Sequence, residues 1–291
     1  MSDKAKILIQ LDSDPHPSSF DRVVAIDSGA DQLFSYGGVK PDQVQALVHG
    51  AIFTRGPKDL HRTAIFVGGS DVAAGEAILE AVRKSLLPKW GLQVSVMLDS
   101  NGCNTTAAAA VRAAARHMPL KDAKAIVLGG TGPVGQRVAR LLAGEGAEVK
   151  VGSRQLARSE AIAQAIQSRV GGSRVTGVAA GTPAELAGAI QNQSIVIAAG
   201  AAGAVLLPKS ARAACPTLKI AIDLNAVPPL GIEGVEMGDQ AKERDGIICY
   251  GAIGVGGTKM KIHKAAISRL FERNDQNLDA EEVYSIASNV S

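Results

Sequence analysis

Short apolar runs alternate with longer, Ala-rich stretches in which apolar residues recur every three or four positions, and this alternation continues nearly from end to end. The short runs suit buried β-strands and the longer period suits amphipathic helices, so the pattern predicts a parallel α/β fold. Two series can be distinguished. In the first, strands are predicted at Lys6 to Asp12, Gln32 to Tyr36, Thr63 to Gly68 and Gln93 to Asp99. Helices are predicted near Pro17 to Gly29, Pro41 to Phe53, Asp71 to Leu87 and Thr105 to His117. The stretch Met118-Pro119-Leu120-Lys121-Asp122 then breaks the pattern and reads as a linker.

The second series starts at Lys124 and holds six strand-like runs: Ala125 to Leu128, Glu148 to Gly152, Arg174 to Val178, Ser194 to Ala198, Lys219 to Leu224 and Gly246 to Ala252. Six parallel strands are the complement of a full dinucleotide-binding fold with its two mononucleotide halves. Thr258 to Phe271 and Ala280 to Ser288 read as helices with no strand left to alternate with. The predicted organisation is therefore an N-terminal α/β substrate domain over 1–120, a Rossmann-type doubly wound parallel sheet over 121–257, and C-terminal helices over 258–291 that return to the first domain. The cleft between the two domains is the expected active site.

Composition narrows the class of function. With 291 residues, 46% of them hydrophobic, the chain can bury a substantial core. Its formal net charge of +3 is too small to imply nucleic acid or an anionic membrane as the main partner. Aromatic residues make up only 3% while glycines number 32, which argues against a base-stacking surface and for many tight turns. No apolar run approaches the roughly 20 residues that span a bilayer. The opening MSDKAKILIQLD passes straight into a run of strand length rather than a signal-peptide core. Cys103, Cys215 and Cys249 form neither a disulfide framework nor a metal motif, so a reduced, cytoplasmic protein is expected.

The segment from Ala125 to Gly135 carries the most chemistry. Gly130, Gly132 and Gly135 satisfy G-x-G-x-x-G, after a strand and at the opening of a helix from Val134 to Glu145, the context this fingerprint requires. Gly130 is expected to make the tight turn, Gly132 to let backbone approach a pyrophosphate, and Gly135 to allow close helix packing. Thr131, Pro133 and Val134 complete the turn and its helix N-terminus, where amides and the helix dipole favour an anion.

An NAD site usually carries Asp or Glu at the end of the second strand, about 20 residues beyond the glycines. Here that strand ends in Ser153-Arg154, with Arg158 one turn on. A hydroxyl and a guanidinium fork suit a 2′-phosphate, so NADP is the predicted cofactor; otherwise these arginines are ordinary solvated helix-start residues. Ala199-Gly200 after the fourth strand would let backbone lie against the cofactor. Asn225 after the fifth either offers its amide to cofactor or substrate or simply turns the chain before Pro228. After the sixth strand, a glycine-dense loop from Gly251 to Gly257 is predicted to hold Lys259 at a helix start near the nicotinamide, while Lys261 points to another face.

Other patterns fail. Two glycines and Pro41 break any helix through Tyr36 and Lys40, Asp71 suits a helix cap better than a phosphate cradle, and the five histidines lack metal-ligand spacing.

Six segments together resemble the bacterial NADP-dependent methylene-tetrahydromethanopterin dehydrogenases. They are Leu11-Asp12-Ser13-Asp14 with Phe20-Asp21, Ala64 to Gly69, Leu98 to Thr106, the glycine fingerprint, Asn225 to Ile232, and Gly256 to His263. The likeness runs from about Asp12 to Tyr284 and is stronger toward the NADP-specific branch than toward the branch that uses both nucleotides. It implies oxidation of a pterin-bound methylene group to the methenyl state, with methylene-tetrahydrofolate as a further substrate of some members. It also implies that the first domain supplies the reduced-pterin pocket, with Asp14, Phe20, Asp99, Asn101 and Thr105 as substrate residues and Lys259 beside the hydride path. Asp99 and Asn101 read equally well as caps of the following helix. No metal is implied, and a homo-oligomer is expected. Two alternatives stand beside this reading: a dehydrogenase of the shikimate type, whose usual Lys and Asp pair is not recognisable here, and a non-catalytic dinucleotide sensor.

Overall fold

A computed structural model describes residues 4–290 as two compact units. One comprises residues up to Thr105 and from Met260 onward; the other runs from Thr106 to Lys259.

The first unit opens with β1 (Ile7–Asp12), α1 (Ser19–Asp27), β2 (Gln32–Tyr36), α2 (Val44–Ile52), β3 (Thr63–Gly68), α3 (Val72–Ser85) and β4 (Ser95–Leu98). α4 (Cys103–Ala115) follows. The second unit continues with β5 (Lys124–Leu128), α5 (Pro133–Gly144), β6 (Glu148–Ser153), α6 (Leu156–Arg169), β7 (Arg174–Ala179), α7 (Pro183–Ile190), β8 (Ile195–Ala198), α8 (Lys209–Ala213) and β9 (Ile220–Asp223). It closes with β10 (Lys242–Arg244), β11 (Ile247–Tyr250) and the start of α9 (Ala252–Arg269), after which β12 (Asn277–Leu278) and α10 (Ala280–Ala287) belong to the first unit.

In the first unit the strands lie in the order β12-β4-β3-β1-β2, and every pairing is parallel. β3 and β4 are buried at every position, as strands covered on both faces must be, whereas β2 at the edge alternates exposed and half-buried residues. α3 packs Val72, Ile78, Leu79 and Val82 into the core, the spacing of one helical stripe. β12 occupies a position where the sequence predicts no strand. Two residues carry no periodic signal; long-range bonds hold them, with Val96 N–H donating to Gln276 O at 2.8 Å and Ser95 Oγ to Arg273 O at 2.8 Å.

The sheet of the second unit has the order β10-β11-β9-β8-β5-β6-β7. Its six parallel strands follow the 3-2-1-4-5-6 order of the doubly wound dinucleotide fold, with the switch point between β5 and β8. β10 is an added antiparallel edge strand, invisible in the sequence because Lys-Glu-Arg has no apolar alternation. It turns back through Asp245-Gly246, both at positive φ (52° and 76°), the geometry of a two-residue hairpin.

Two further expectations need correction. The predicted linker at 118–122 is a packed turn inside the second unit: Leu120 is buried, Asp122 N–H donates to Gly146 O at 3.0 Å, and the division falls within α4 and α9 instead. The predicted glycine-dense loop is helical from Ala252. Glycine lowers helix propensity, which is why the segment reads as a loop, but here it provides clearance. A Cβ on Gly251 would collide with Glu236 O, and one on Gly254 with Asp239 O. The orphan amides at the helix start find partners in the same turn. Met237 O accepts from Ile253 N–H at 2.9 Å and Gly254 N–H at 3.3 Å, and Asp239 O accepts from Gly251 N–H at 2.9 Å. Among the described residues no helix is long and apolar enough to cross a membrane.

Gly254→Ala is expected to cost about 1–3 kcal/mol, since the obstacle is a bonded backbone carbonyl that cannot swing aside. Gly257→Ala, where a Cβ meets nothing within 4 Å, should leave stability unchanged or raise it by up to about 1 kcal/mol. Urea unfolding of the two variants checks the contrast.

Candidate functional site

β5 delivers the chain to a turn of four residues that ends in α5, and glycines occupy it for separate reasons. Gly129, not Gly130, takes the left-handed conformation (φ 71°), and a Cβ there would strike the backbone of Gly200. Gly130 is needed for space, because its Cβ would lie 2.8 Å from both Val127 O and Val151 Cγ1. Gly135 lets α5 sit on the turn; a Cβ would come 2.6 Å from Gly129 O. At Gly132 the nearest atoms would be 3.5 and 3.7 Å away, so nothing within the protein forbids a side chain there. Gly132 is the N-cap of α5, Pro133 its first residue, and no side chain caps the helix. Its leading amides are therefore left for an anion, which fits a dinucleotide's pyrophosphate.

A cleft of about 1130 Å³ runs past this turn. It gathers Thr131, Gly132, Ser153, Arg154, Ala199 and Gly200 of the predicted residues, together with Arg158. Gly130, Pro133, Val134 and Gly135 are not on its wall and act by shaping the turn. Arg154 and Arg158 are exposed, and Gln155, the N-cap of α6, makes no side-chain cap bond, so this end of β6 is open and cationic. Asn225 is not on the wall of this cleft. Its Nδ2 donates to Pro229 O at 3.2 Å and its Oδ1 accepts from Val227 N–H at 2.9 Å, so its side chain takes part in turning the chain before Pro228. Beside it, buried Asp223 accepts from the amides of Asn225 (3.0 Å) and Ile232 (2.8 Å). Burial pushes this carboxyl above its ordinary value, against the pull of those amides.

The sequence reading missed the opposite rim, Gly181-Thr182 with Pro183, Leu186 and Ala187. A capping box was the available signal: Thr182 Oγ1 accepts from Glu185 N–H, and Glu185 accepts the amides of Gly181 (2.9 Å) and Thr182 (3.0 Å). Those amides hold Glu185 below the usual carboxylate range.

Lys259 lies on α9 and is half-buried, whereas Lys261, two residues on, is exposed. A two-residue step turns about 200° around the helix, which separates their faces.

In the first unit, the loops after β1, β3 and β4 converge at the carboxyl edge of the sheet, beside its own switch point between β1 and β3. Asp14 accepts from Ser70 N–H (3.0 Å) and Ser70 Oγ (2.8 Å), while Asn101, at φ 52°, donates its N–H to Gly69 O at 2.7 Å. These two predicted residues thus clasp one turn from opposite sides. Asp99 and Thr105 are buried and bonded to each other at 2.7 Å; Asp99 also accepts the amides of Asn104 and Thr105, so it does cap the start of α4. Phe20, 47% exposed on α1, stands 6.1 Å from the ring of His263.

His263 is the residue that sequence reasoning passed over. It is 1% exposed, its ring stacks on Phe66 at 5.7 Å, and its Nδ1 is 3.9 Å from Asp99 Oδ2. A search for metal spacing could not find it; its place four residues after Lys259 in one helix was the usable signal. Among the described residues no group of three or more His, Cys, Asp or Glu side chains could hold a metal ion.

Comparison with known proteins places the chain in a family. Residues 19–101 match the family described as "Methylene-tetrahydromethanopterin dehydrogenase, N-terminal". The "Bifunctional protein MdtA" of Methylorubrum extorquens is 46% identical over 288 residues, covering 98% of this chain and 99% of that one. The "NAD(P)-dependent methylenetetrahydromethanopterin dehydrogenase" of the same organism is 31% identical over 296 residues, covering 98% of each. Among solved structures, quinate dehydrogenase from Corynebacterium glutamicum in complex with NAD has a TM-score of 0.55 at 17% identity, covering 98% of this chain and 99% of that one. Ornithine carbamoyltransferase from Pyrococcus furiosus has a TM-score of 0.56 at 11% identity, covering 92% and 83%. The structural likenesses, at such identities, are of fold alone. The two full-length sequence relatives carry more, and by them this chain belongs to the methylene-tetrahydromethanopterin dehydrogenase family.

Proposed function

We propose that this protein oxidises the methylene group of a reduced pterin carrier, methylene-tetrahydromethanopterin and also methylene-tetrahydrofolate, to the methenyl state by hydride transfer to NADP. The observation that carries the nucleotide choice is the end of β6, where Ser153, Arg154 and Arg158 line the cleft in place of a carboxylate. A carboxylate there would repel a 2′-phosphate, whereas a guanidinium binds one as a bidentate fork. Membership in the family supports the reaction and the pterin class of substrate. The fold likeness to quinate dehydrogenase does not transfer a substrate.

NADP, when bound, supplies the hydride acceptor. The residues of the chain position and tune. The Gly129–Gly132 turn and the α5 amides would hold the pyrophosphate, and Gly129, without a side chain, lets the Ala199-Gly200 loop lie close to that turn. The first unit takes the pterin at the edge where Phe20 and His263 adjoin, with Asp14 and Asn101 setting the shape of the neighbouring turn. As the carbon loses hydride it becomes a resonance-stabilised amidinium cation, so a buried negative charge nearby favours it. Asp99 is the buried carboxyl group placed to serve, behind Thr105 and His263. Lys259 orients the pterin or tunes the charge at the reacting carbon. The enzyme works as a cytoplasmic homo-oligomer in this reading.

Replacing Gly132 by Val should weaken NADP binding at least about tenfold in calorimetry while the circular dichroism spectrum stays native, because only the nucleotide needs that space. Arg154→Ala should raise KM for NADP far more than KM for NAD, by the equivalent of about 1–3 kcal/mol for a lost charged hydrogen bond; an unchanged preference would remove Arg154 from the 2′-phosphate site. Lys259→Ala should lower kcat about a hundredfold, the scale of one preorganised electrostatic group, with NADP affinity intact. Lys261→Ala should remain active in the same assays with each methylene-pterin. Near-normal turnover of both lysine variants would sink the role given to Lys259.

A further inference from the structure

We propose that Arg244, on the added edge strand β10, is a positioning residue for the reaction: its guanidinium locks the turn on which α9 begins and so sets where Lys259 stands. The inference rests on the reading of Lys259 given above.

β10 lies outside the six strands of the dinucleotide fold, yet it brings one side chain to a buried target. Arg244 Nε donates to Asp239 Oδ2 at 2.7 Å and Nη2 to Asp239 Oδ1 at 2.7 Å, a bidentate fork, and Nη2 is also 3.0 Å from Glu236 Oε1. Asp239 is 5% exposed and closes its own turn, accepting from Glu236 N–H at 2.8 Å and donating its N–H to Glu236 O at 3.0 Å. That turn is the seat of α9. Its carbonyls at Met237 and Asp239 take the amides of Gly251, Ile253 and Gly254, and its backbone touches α9 so closely that no side chain fits at Gly251 or Gly254.

The helix start therefore has no freedom independent of the turn. Lys259 follows Gly254 by five residues, about 8 Å along the axis, so a tilt of roughly 10° at the seat moves it by about 1 Å. Displacement on that scale can cost around a hundredfold in rate. Lysine at 244 would keep the charge but not the two parallel bonds that fix the carboxylate plane. A plain stabilising ion pair would predict something else: a loss of active protein that does not depend on Lys259.

Steady-state kinetics, NADP calorimetry and circular dichroism on Arg244→Gln, in the parent and in the Lys259→Ala background, separate the two. In the parent, kcat is expected to fall about tenfold with KM for NADP within about twofold, and Arg244→Lys should fall between parent and Arg244→Gln. In the Lys259→Ala background the same change should cost less than about twofold, because the group being positioned is gone. Glu243→Gln, on the same strand, should keep full activity. A folded Arg244→Gln with kcat close to the parent, beside a dead Lys259→Ala, overturns the proposal and leaves Lys259 in its role. Equal losses in both backgrounds also overturn it, as those of a structural ion pair. An active Lys259→Ala overturns the reading of Lys259 and the proposal with it. Should Arg244→Gln fail to fold, Arg244→Lys and Asp239→Asn carry the same two-background comparison.

Discussion

Backbone meets backbone at the switch point of the second unit, and the rest of the nucleotide cleft depends on that approach. β5 and β8 are neighbours, so the turn after β5 and the loop after β8 must leave the sheet side by side. They can do so only because Gly129 lacks a side chain: a Cβ there would strike the Gly200 backbone, while one on Gly200 would meet the Leu206 side chain. With the two loops held low, α5 starts uncapped over the carboxyl edge of the strands, and its dipole and amides face the cleft. β6 then ends alongside, exposing Arg154 and Arg158 where a ribose would lie. One steric constraint thus sets the floor of the cleft, and a few exposed polar residues line its rim.

The first unit solves a different problem with the same sheet logic. Its parallel strands also end together, but the loops at that edge carry Asp12, Asp14 and Asp99, and carboxylates taken out of water need donors. Local amides and hydroxyls provide them: Asp14 N–H and Ser18 N–H for Asp12, Ser70 for Asp14, and the α4 start for Asp99. The carboxyl groups of this edge are thus each tied to local donors, and the rings of Phe20, His263 and Phe66 adjoin one another beside them.

The amino-acid sequence by itself determined the strand and helix alternation, the six parallel strands of the second unit, and the position of the phosphate turn. These are local signals: apolar runs of strand length, and glycines between a strand and a helix, constrain the backbone whatever surrounds them. The residue types at the end of β6 were equally legible, since a strand end followed by Ser-Arg keeps its chemistry in any packing. Tertiary structure alone decided the rest. β10 and β12 exist because neighbouring strands offer unpaired backbone, not because Lys-Glu-Arg or Asn-Leu favours extension. The helix begins at Ala252 where the 236–240 turn packs on Gly251 and Gly254 and accepts the amides of Gly251, Ile253 and Gly254, a contact between residues whose spacing encodes nothing. The local bonds of Asn225 to Pro229 and Val227 likewise depend on how its loop closes. His263 gained meaning only when folding set it between Phe66, Phe20 and Asp99, which lie more than 150 positions away in the chain, because a side chain's chemistry is local but its surroundings are not.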